Sequence, residues 1–361
     1  MAHDPSRRAL LTALAASPIL TAFGAGSLAE DAGAPRRPSL SGGRLVGAAV
    51  RMDQIEGDPA LRRTLLSDCA SVTPEIHMKW DALQPAADTW RTGPADALVA
   101  FADRHGLLVR GHTLLWDQST PAWARKRMLE TRDRSILDHY FDAVLGRYET
   151  VAEWDVVNEP IDTENGARDD LRANTFLRSY GAGYIDHALR RARQAAPRAR
   201  LMINDYSFDY DNPVEARRRA ALLRLIGRLR SDGAPLDGIG LQAHLDLSKG
   251  PLRPEILRPF LREIAGFGLS IAITELDVRE DDLTVSITER DQRVADEVRR
   301  YLDIVLDEPA VQGVTTWGLS DAHSWLRAPG AEGLALNRGL PYDADLRPKP
   351  MHAAIRRSLT A

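Results

Sequence analysis

The segment WDVVNEP, residues 154–160, contains the pattern on which the fold assignment depends. Two valines are followed at once by an amide, a carboxylate and a proline. A short apolar run of this kind is typical of a strand that is buried in a parallel sheet. Pro160 cannot donate a ladder hydrogen bond and so helps to end the strand. The segment therefore predicts a strand whose tip presents Asn158 and Glu159.

Seven other apolar runs resemble this one, and longer amphipathic stretches separate them. The eight predicted strands are 44–50, 71–77, 107–115, 151–157, 199–205, 238–245, 268–278 and 311–319. Three intervening stretches, 135–148, 214–229 and 289–306, carry apolar residues at helical spacing, which indicates one face packed on a core. Eight strand–helix units predict an α/β fold, a single-domain (β/α)8 or TIM barrel. An open doubly wound sheet is the alternative, but no Gly-rich phosphate loop follows the first strand.

Composition and charge exclude several classes of protein. The chain has 361 residues, 44% of them hydrophobic, and a net charge of −4, so it can bury a large core and no basic field indicates nucleic acid binding. One cysteine, Cys69, permits neither an intrachain disulfide nor a multi-cysteine metal site. We therefore expect a monomer stabilised by packing, with Cys69 buried and with no metal or cofactor.

The first 42 residues differ from the rest. A Ser-Arg-Arg triplet at 6–8 precedes an apolar stretch at 9–23 that is too short for a comfortable membrane span. This pattern is typical of a twin-arginine export signal, with a plausible cleavage site at 27–29. It predicts export to the periplasm or beyond the cell, with no stable membrane anchor after cleavage. The predicted segments are a signal peptide at 1–29, a flexible spacer at 30–42 and a catalytic domain at 43–361.

Polar and aromatic side chains follow seven of the eight predicted strands. In (β/α)8 barrels the carboxyl ends of the strands meet at one face, which is where the chemistry is placed. Two carboxylates, Glu159 and Glu275, end the fourth and seventh strands, which lie across the barrel mouth from each other. Glycoside hydrolysis with retention needs two carboxyl groups roughly 5–5.5 Å apart. Trp116, Trp317 and Trp325 fall at strand tips or in the loops that follow, where indoles can stack on sugar rings.

These residues resemble a known family, glycoside hydrolase family 10, in which endo-β-1,4-xylanases dominate. The resemblance covers roughly residues 43–355. The matching segments, which occur in the family's order, are MKW (78–80), RGHTLLW (110–116), WDVVNEP (154–160), NDYS (204–207), GLQAHL (240–245), ITELDV (273–278), TTWGLSDAHSW (315–325) and RPKP (347–350).

The resemblance implies a role for each matching residue. Glu159 corresponds to the general acid/base and Glu275 to the nucleophile, while Asn158 corresponds to the amide that holds the 2-hydroxyl of the sugar being cleaved. His244 and Asp277 correspond to the residues that orient the nucleophile, and Tyr206 to a contact on the leaving-group side. The glycone-binding positions implied in the same way are Glu75, Lys79, His112, Trp116, Gln242, Trp317 and Trp325. The implied activity is retaining hydrolysis of internal β-1,4 linkages in xylan or xylo-oligosaccharides.

Two departures from the family pattern concern the glycone side. Ile76 stands where the family usually has asparagine, and Asp117-Gln118-Ser119 replaces the usual His-Ser-Gln. The exchange at 76 removes one hydrogen bond to sugar, typically worth about 0.5–1.5 kcal/mol. Two alternatives therefore remain open: a β-glycosidase with altered glycone specificity and a carbohydrate-binding protein without turnover. Residue types alone also allow a metallohydrolase using His112, His244 and Asp277, but no short metal-ligand motif is present.

Overall fold

A computed structural model describes residues 44–165, 167–328 and 334–360 of the chain. The predicted signal peptide at 1–29 and spacer at 30–42 lie outside the described residues. In the described part no helix is both long and apolar enough to cross a bilayer.

The described residues form nine parallel strands, eight of which close into a barrel. In chain order, β1 to β9 are Leu45–Val50, Ser71–Pro74, Leu108–Gly111, Glu153–Asn158, Arg200–Asp205, Gly238–Leu241, His244–Asp246, Ser270–Arg279 and Val311–Thr316. Strands β1 to β6 pair in sequence, β6 pairs with β8, β8 with β9, and β9 returns to β1. The predicted (β/α)8 barrel is therefore confirmed, and the open-sheet alternative is wrong.

Helices surround the barrel and connect its strands. In chain order, α1 to α12 are Met52–Gly57, Pro59–Asp68, Trp80–Leu83, Gly93–Arg104, Ala122–Thr131, Ser135–Arg147, Thr175–Tyr180, Tyr184–Ala195, Pro213–Ser231, Pro254–Gly266, Ile287–Val305 and Pro350–Thr360. Several begin at side-chain caps: Asp58, Asn174, Asn212 and Ser286 each accept a hydrogen bond from a first-turn backbone N–H. Such caps satisfy donors that the helix itself leaves unpaired.

One predicted strand is divided in the structure. The run 238–245 forms β6 and the short β7, separated at Ala243, whose φ of 59° is left-handed. A left-handed residue cannot continue a strand, so β7 leaves the barrel wall and pairs only with the end of β8. The predicted strands at 71–77 and 107–115 are also shorter than expected, since their last residues already belong to the loops of the site.

The core is continuous between the barrel and its helices, and close packing is visible at individual positions. Trp154 is fully buried and covers Gly111, where a Cβ atom would lie 2.2 Å from the indole. Only glycine therefore fits at position 111. Cys69 is completely buried in the same core, which confirms the prediction made from the sequence.

Candidate active site

A cavity of about 530 Å³ opens at the carboxyl ends of the barrel strands. All the site residues predicted from the sequence line it. They are Glu75, Lys79, His112, Trp116, Asn158, Glu159, Tyr206, Gln242, His244, Glu275, Asp277, Trp317 and Trp325. Parallel strands bring residues far apart in sequence to a single edge, which is why one cavity collects them.

Glu275 lies in β8, two residues beyond the last residue that pairs with β6, and is held at both carboxylate oxygens. Its Oε1 accepts a hydrogen bond of 2.7 Å from the Asn204 amide, and its Oε2 lies 3.1 Å from Nε2 of His244. The other ring nitrogen of His244 lies 2.8 Å from Asp277, whose second oxygen accepts a 2.6 Å bond from the Trp325 indole N–H. A relay of side chains thus fixes the orientation of Glu275.

This relay also fixes the charge of Glu275. Burial alone would raise the pKa of the carboxyl, but the hydrogen bond from His244 and the positive charge of the nearby histidines outweigh it and lower the pKa to about 2. Burial has the opposite effect on a cationic group and by itself would lower the pKa of His244. The carboxylates of Asp277 and Glu275 outweigh burial and raise this pKa well above its usual value. The result is a carboxylate that is ionised across the ordinary pH range beside an imidazolium.

Glu159 follows β4 and has a different environment. Its backbone is left-handed, with φ of 55°, so its side chain turns out of the strand direction into the cavity. Only Oε1 is hydrogen-bonded to described residues, by the Asn158 amide at 3.2 Å and by the Gln242 amide at 3.4 Å. Its Oε2 therefore has no competing bond within the described residues and is available to a substrate.

Asn204, at the tip region of β5, joins the two carboxylates. Its amide nitrogen donates to Oε1 of Glu275 and, at 2.8 Å, to Oδ1 of Asn158. The amide nitrogen of Asn158 in turn donates to Oε1 of Glu159. The Thr274 hydroxyl donates to Asn204 Oδ1 at 2.7 Å, which determines which end of the amide is the NH2. The sequence placed Asn204 at a strand end but gave it no role, and the signal that could have found it is its position beside the two glutamate strands.

The side of the cavity built by β2, β3 and β9 combines charge with indole rings. The Lys79 ammonium lies 4.7 Å from the Trp116 ring centroid and 5.8 Å from that of Trp317, within cation–π range. Burial raises the pKa of Glu75 and lowers that of Lys79, against the attraction between their charges. The Trp116 indole N–H is buried and has no hydrogen-bond partner among the described residues. These groups are donors and acceptors that a sugar can satisfy.

Tyr206, after β5, stands on the opposite side of the cavity and is held by two arginines. Arg172 donates to the Tyr206 hydroxyl at 3.0 Å, and the Arg218 guanidinium lies 4.4 Å from the ring centroid. Arg172 also donates to the backbone carbonyl of Glu159 at 2.8 Å and to that of Ile161 at 3.1 Å. This arginine was not predicted, because it lies in an irregular loop 14 residues after the last residue of β4, although the fold brings it back to that strand's tip.

The departures from the family pattern have separate structural consequences. Asp117 turns away from the cavity, accepts a hydrogen bond from the Thr175 backbone at the start of α7, and pairs with Arg125 at 3.3 Å. Gln118 lines the cavity instead, and its side chain makes no hydrogen bond to described residues. Ile76 and Ser119 are not among the residues that line the cavity.

Within residues 44–165, 167–328 and 334–360, no group of three or more His, Cys, Asp or Glu side chains is arranged to hold a metal ion. The three residues of the metallohydrolase alternative have other partners. His112 Nδ1 lies 3.0 Å from Asp155, and His244 lies between Asp277 and Glu275. Each imidazole is thus oriented by a carboxylate.

A (β/α)8 barrel with two carboxylates at the ends of its fourth and seventh barrel strands, among indoles and amides, is the architecture of a glycoside-cleaving enzyme. Comparison with known proteins makes the assignment specific. The sequence model of glycosyl hydrolase family 10 matches residues 38–358, so the chain belongs to that family. The resemblance inferred from the sequence is confirmed.

Individual relatives agree with the family assignment. The chain is 35% identical over 298 residues to endo-1,4-beta-xylanase A of Fusarium oxysporum f. sp. lycopersici, covering 80% of this chain and 86% of that protein. It is 33% identical over 287 residues to endo-1,4-beta-xylanase B of Thermotoga neapolitana, with 79% of each chain covered. The crystal structure of xylanase 10B from Thermotoga maritima superposes with a TM-score of 0.78 and 30% identity, covering 88% of this chain and 95% of that one.

Proposed function

We propose that this protein is a retaining endo-β-1,4-xylanase that acts as a monomer on internal linkages of xylan or xylo-oligosaccharides. Glu275 is the nucleophile and Glu159 the general acid/base. The observation that carries the proposal is the hydrogen-bond chain Glu275–Asn204–Asn158–Glu159, which places the two carboxyl groups in one cavity with unlike surroundings. Family membership and relatives named as endo-1,4-beta-xylanases support the substrate class.

In the first step Glu275 attacks the anomeric carbon while the bond from that carbon to the leaving oxygen breaks. Glu159 gives its proton to the leaving oxygen, so the departing sugar leaves as a neutral alcohol. The pKa of Glu275 near 2 keeps this residue ionised and ready to attack. The product is a covalent glycosyl-enzyme ester.

In the second step Glu159, now a carboxylate, takes a proton from a water molecule that attacks the same carbon from the leaving-group side. The ester bond to Glu275 breaks and the carboxylate is restored. Two inversions give net retention of configuration. Glu159 changes its proton twice in each cycle, and its free Oε2 within the described site suits this exchange.

The remaining cavity residues bind and orient the sugars. Asn158 holds the 2-hydroxyl, and the glycone side consists of Glu75, Lys79, His112, Trp116, Gln242, Trp317 and Trp325 in the same cavity. His244 and Asp277 orient the nucleophile, while Tyr206 contacts the leaving group. Hydrogen bonds that strengthen as charge develops at the anomeric carbon lower the barrier, and equal binding of substrate and transition state would not.

Product analysis tests this function directly. The chain from residue 30 onward would be incubated with plain xylan and with xylohexaose, and early products followed by NMR. We expect short β-1,4 xylo-oligosaccharides with retained anomeric configuration. Inverted products would contradict the double displacement, and no release from either substrate by folded protein would contradict the xylanase assignment.

One feature favours altered glycone specificity as a second candidate. Gln118 belongs to the segment that departs from the family pattern, and its side chain lines the cavity without a hydrogen bond to described residues. A panel of chromogenic β-glycosides distinguishes the two candidates, since a shift to another sugar would appear as a higher kcat/KM on a non-xyloside.

We also propose that the chain is exported through a twin-arginine signal and works in the periplasm or outside the cell. The arginine pair at 7 and 8 ahead of the apolar stretch 9–23 supports this. Replacing both arginines by lysine should leave the protein in the cytoplasm. Unchanged export in fractionation experiments would contradict the proposed route.

A further inference from the structure

A second cavity, of about 260 Å³, lies outside the catalytic cleft and is lined by Trp90, Trp123 and Tyr140. Its walls come from the segment that follows α3, from α5 and from the first two turns of α6. In a (β/α)8 barrel the helices run antiparallel to the strands, so their first turns lie on the face where the strands end. The second cavity is therefore on the same face of the molecule as the catalytic cleft.

The aromatic wall of this cavity is rigid. Tyr140 stacks on Trp80 with ring centroids 4.1 Å apart, and Trp80 meets Trp123 edge-on at 6.1 Å. Gln84 accepts the Trp80 indole N–H through its side chain at 3.1 Å and that of Trp123 through its backbone carbonyl at 3.0 Å. A site that is fixed before binding loses little conformational entropy when a ligand arrives.

One aromatic residue of the wall faces solvent. Trp90 is 41% exposed, and its ring lies nearly parallel to Tyr140, with 6.4 Å between centroids. A large exposed indole over a cavity is unusual for a residue whose only task is packing, because its apolar surface remains in contact with water. An indole face of this kind matches the apolar face of a pyranose ring.

Two polar side chains lie beside the aromatic wall. His139 and Arg127 line the cavity, are both exposed, and make no side-chain hydrogen bond or ion pair within the described part of the chain. The cavity therefore offers an imidazole and a guanidinium beside an aromatic platform.

We propose that this cavity is a second carbohydrate-binding site, which holds one pyranose unit of the polysaccharide outside the catalytic cleft. Its volume is just below the roughly 300–1,000 Å³ of pockets for drug-sized ligands, which suits a single ring. The identity of the sugar as xylose rests on the proposed function. Holding the polymer at a second point raises its effective concentration at the cleft, an advantage that only long or insoluble substrates can use.

The decisive experiment compares insoluble xylan with xylohexaose for the wild-type protein and Trp90→Ala. We expect the rate on insoluble xylan to fall roughly three- to tenfold, as for the loss of one aromatic contact, with kcat/KM on xylohexaose unchanged. Leu129→Ala is the matched control. Leu129 lies on α5 and, like Trp90, is an exposed apolar side chain, but it does not line the cavity. Equal rates for Trp90→Ala and wild type on insoluble xylan would overturn the proposal.

Arg127→Ala provides an independent test that keeps the aromatic stack and removes one of the two polar side chains at the cavity. It should weaken retardation in native gels containing soluble xylan, measured in a Glu275→Ala background so that the polymer is not cleaved. If Trp90→Ala lost equal activity on insoluble xylan and on xylohexaose, the cavity would have a structural role. If the variant changed its oligomeric state in gel filtration, the cavity would have a protein-binding role. Either result would overturn the proposal. If the wild type cleaves neither substrate, the proposed function fails, and gel retardation still decides whether the cavity binds xylan.

Discussion

The two carboxyl groups of the cleft differ in how firmly each is held. Glu275 accepts hydrogen bonds at both oxygens from a histidine and an amide, and its pKa is near 2. Glu159 accepts only two longer amide bonds, both at one oxygen. A nucleophile needs one charge state and one orientation, whereas an acid/base must exchange its proton twice per cycle. In the proposed mechanism, the cleft separates these tasks by hydrogen bonds and by the charge of neighbouring histidines.

Removing each carboxylate in turn tests the comparison with the largest effect. Glu275→Ala should lower kcat by about 10⁴-fold or more on every substrate, because nothing else can form the ester. Glu159→Ala should lower kcat/KM on xylan by roughly 10²–10⁴-fold but preserve the first step on aryl glycosides with good leaving groups, which need no proton. Added azide should speed turnover of Glu159→Ala and give a β-glycosyl azide of retained configuration, whereas azide acting in Glu275→Ala would give the inverted α-azide. Equal residual activity of the two variants on aryl glycosides would contradict the assigned roles.

Breaking the link between the two carboxylates should have the next largest effect. Asn204→Ala removes donors to both Glu275 and Asn158, and we expect kcat to fall roughly 10²–10³-fold, as when one preorganised donor is lost. Thr274→Val is the matched control, because it leaves the Asn204 amide in place and removes only the hydroxyl that orients it. We expect a smaller loss in Thr274→Val than in Asn204→Ala, and an unchanged kcat in Asn204→Ala would contradict the role of its two hydrogen bonds.

The charge of His244 is tested by pH. In His244→Gln the imidazolium is lost, so the pKa of Glu275 should rise toward its ordinary value. We expect the acid limb of kcat/KM to move upward by roughly one pH unit or more. Because the pKa of Glu275 is lower in the folded protein than its ordinary value of 4.5, its ionisation stabilises the fold at pH values above 4.5. This stabilisation is lost as the pH falls from 4.5 toward 2. His105→Gln, at an exposed helix end, should move neither the limb nor the stability profile.

The smallest expected loss of activity is for Arg172, which contacts Tyr206 and the backbone of Glu159. Arg172→Lys cannot bond Tyr206 and the Glu159 carbonyl together, because an ammonium lacks the planar fork of a guanidinium. We expect roughly a three- to tenfold loss of kcat/KM on xylo-oligosaccharides, with little change on activated aryl glycosides. Arg178→Lys, whose guanidinium caps an exposed carbonyl, should have no effect. Parallel losses on both kinds of substrate would show that Arg172 does not act through the leaving group.

The sequence predicted the fold because each strand is a separate apolar run and the helices between them are amphipathic. It failed at 238–245, since nothing in the residue types shows that Ala243 adopts a left-handed backbone. Residues at strand tips could be collected into one site because parallel strands end together. The direction of hydrogen bonds could not be predicted, so Asn204 and Arg172 were missed, and Asp117 was placed in the cleft although it turns to α7.

The left-handed backbone of Glu159 has a consequence for local stability. An L residue in this conformation costs roughly 1–2 kcal/mol, whereas glycine adopts it without a steric penalty. The weak bonds of the Glu159 carboxyl return little of that cost in the described site. A glycine at this position would relieve the steric cost but would leave the buried amides of Asn158 and Gln242 without their acceptor. The left-handed backbone is therefore a local strain that accompanies the turn of this carboxyl group from the end of β4 into the cleft.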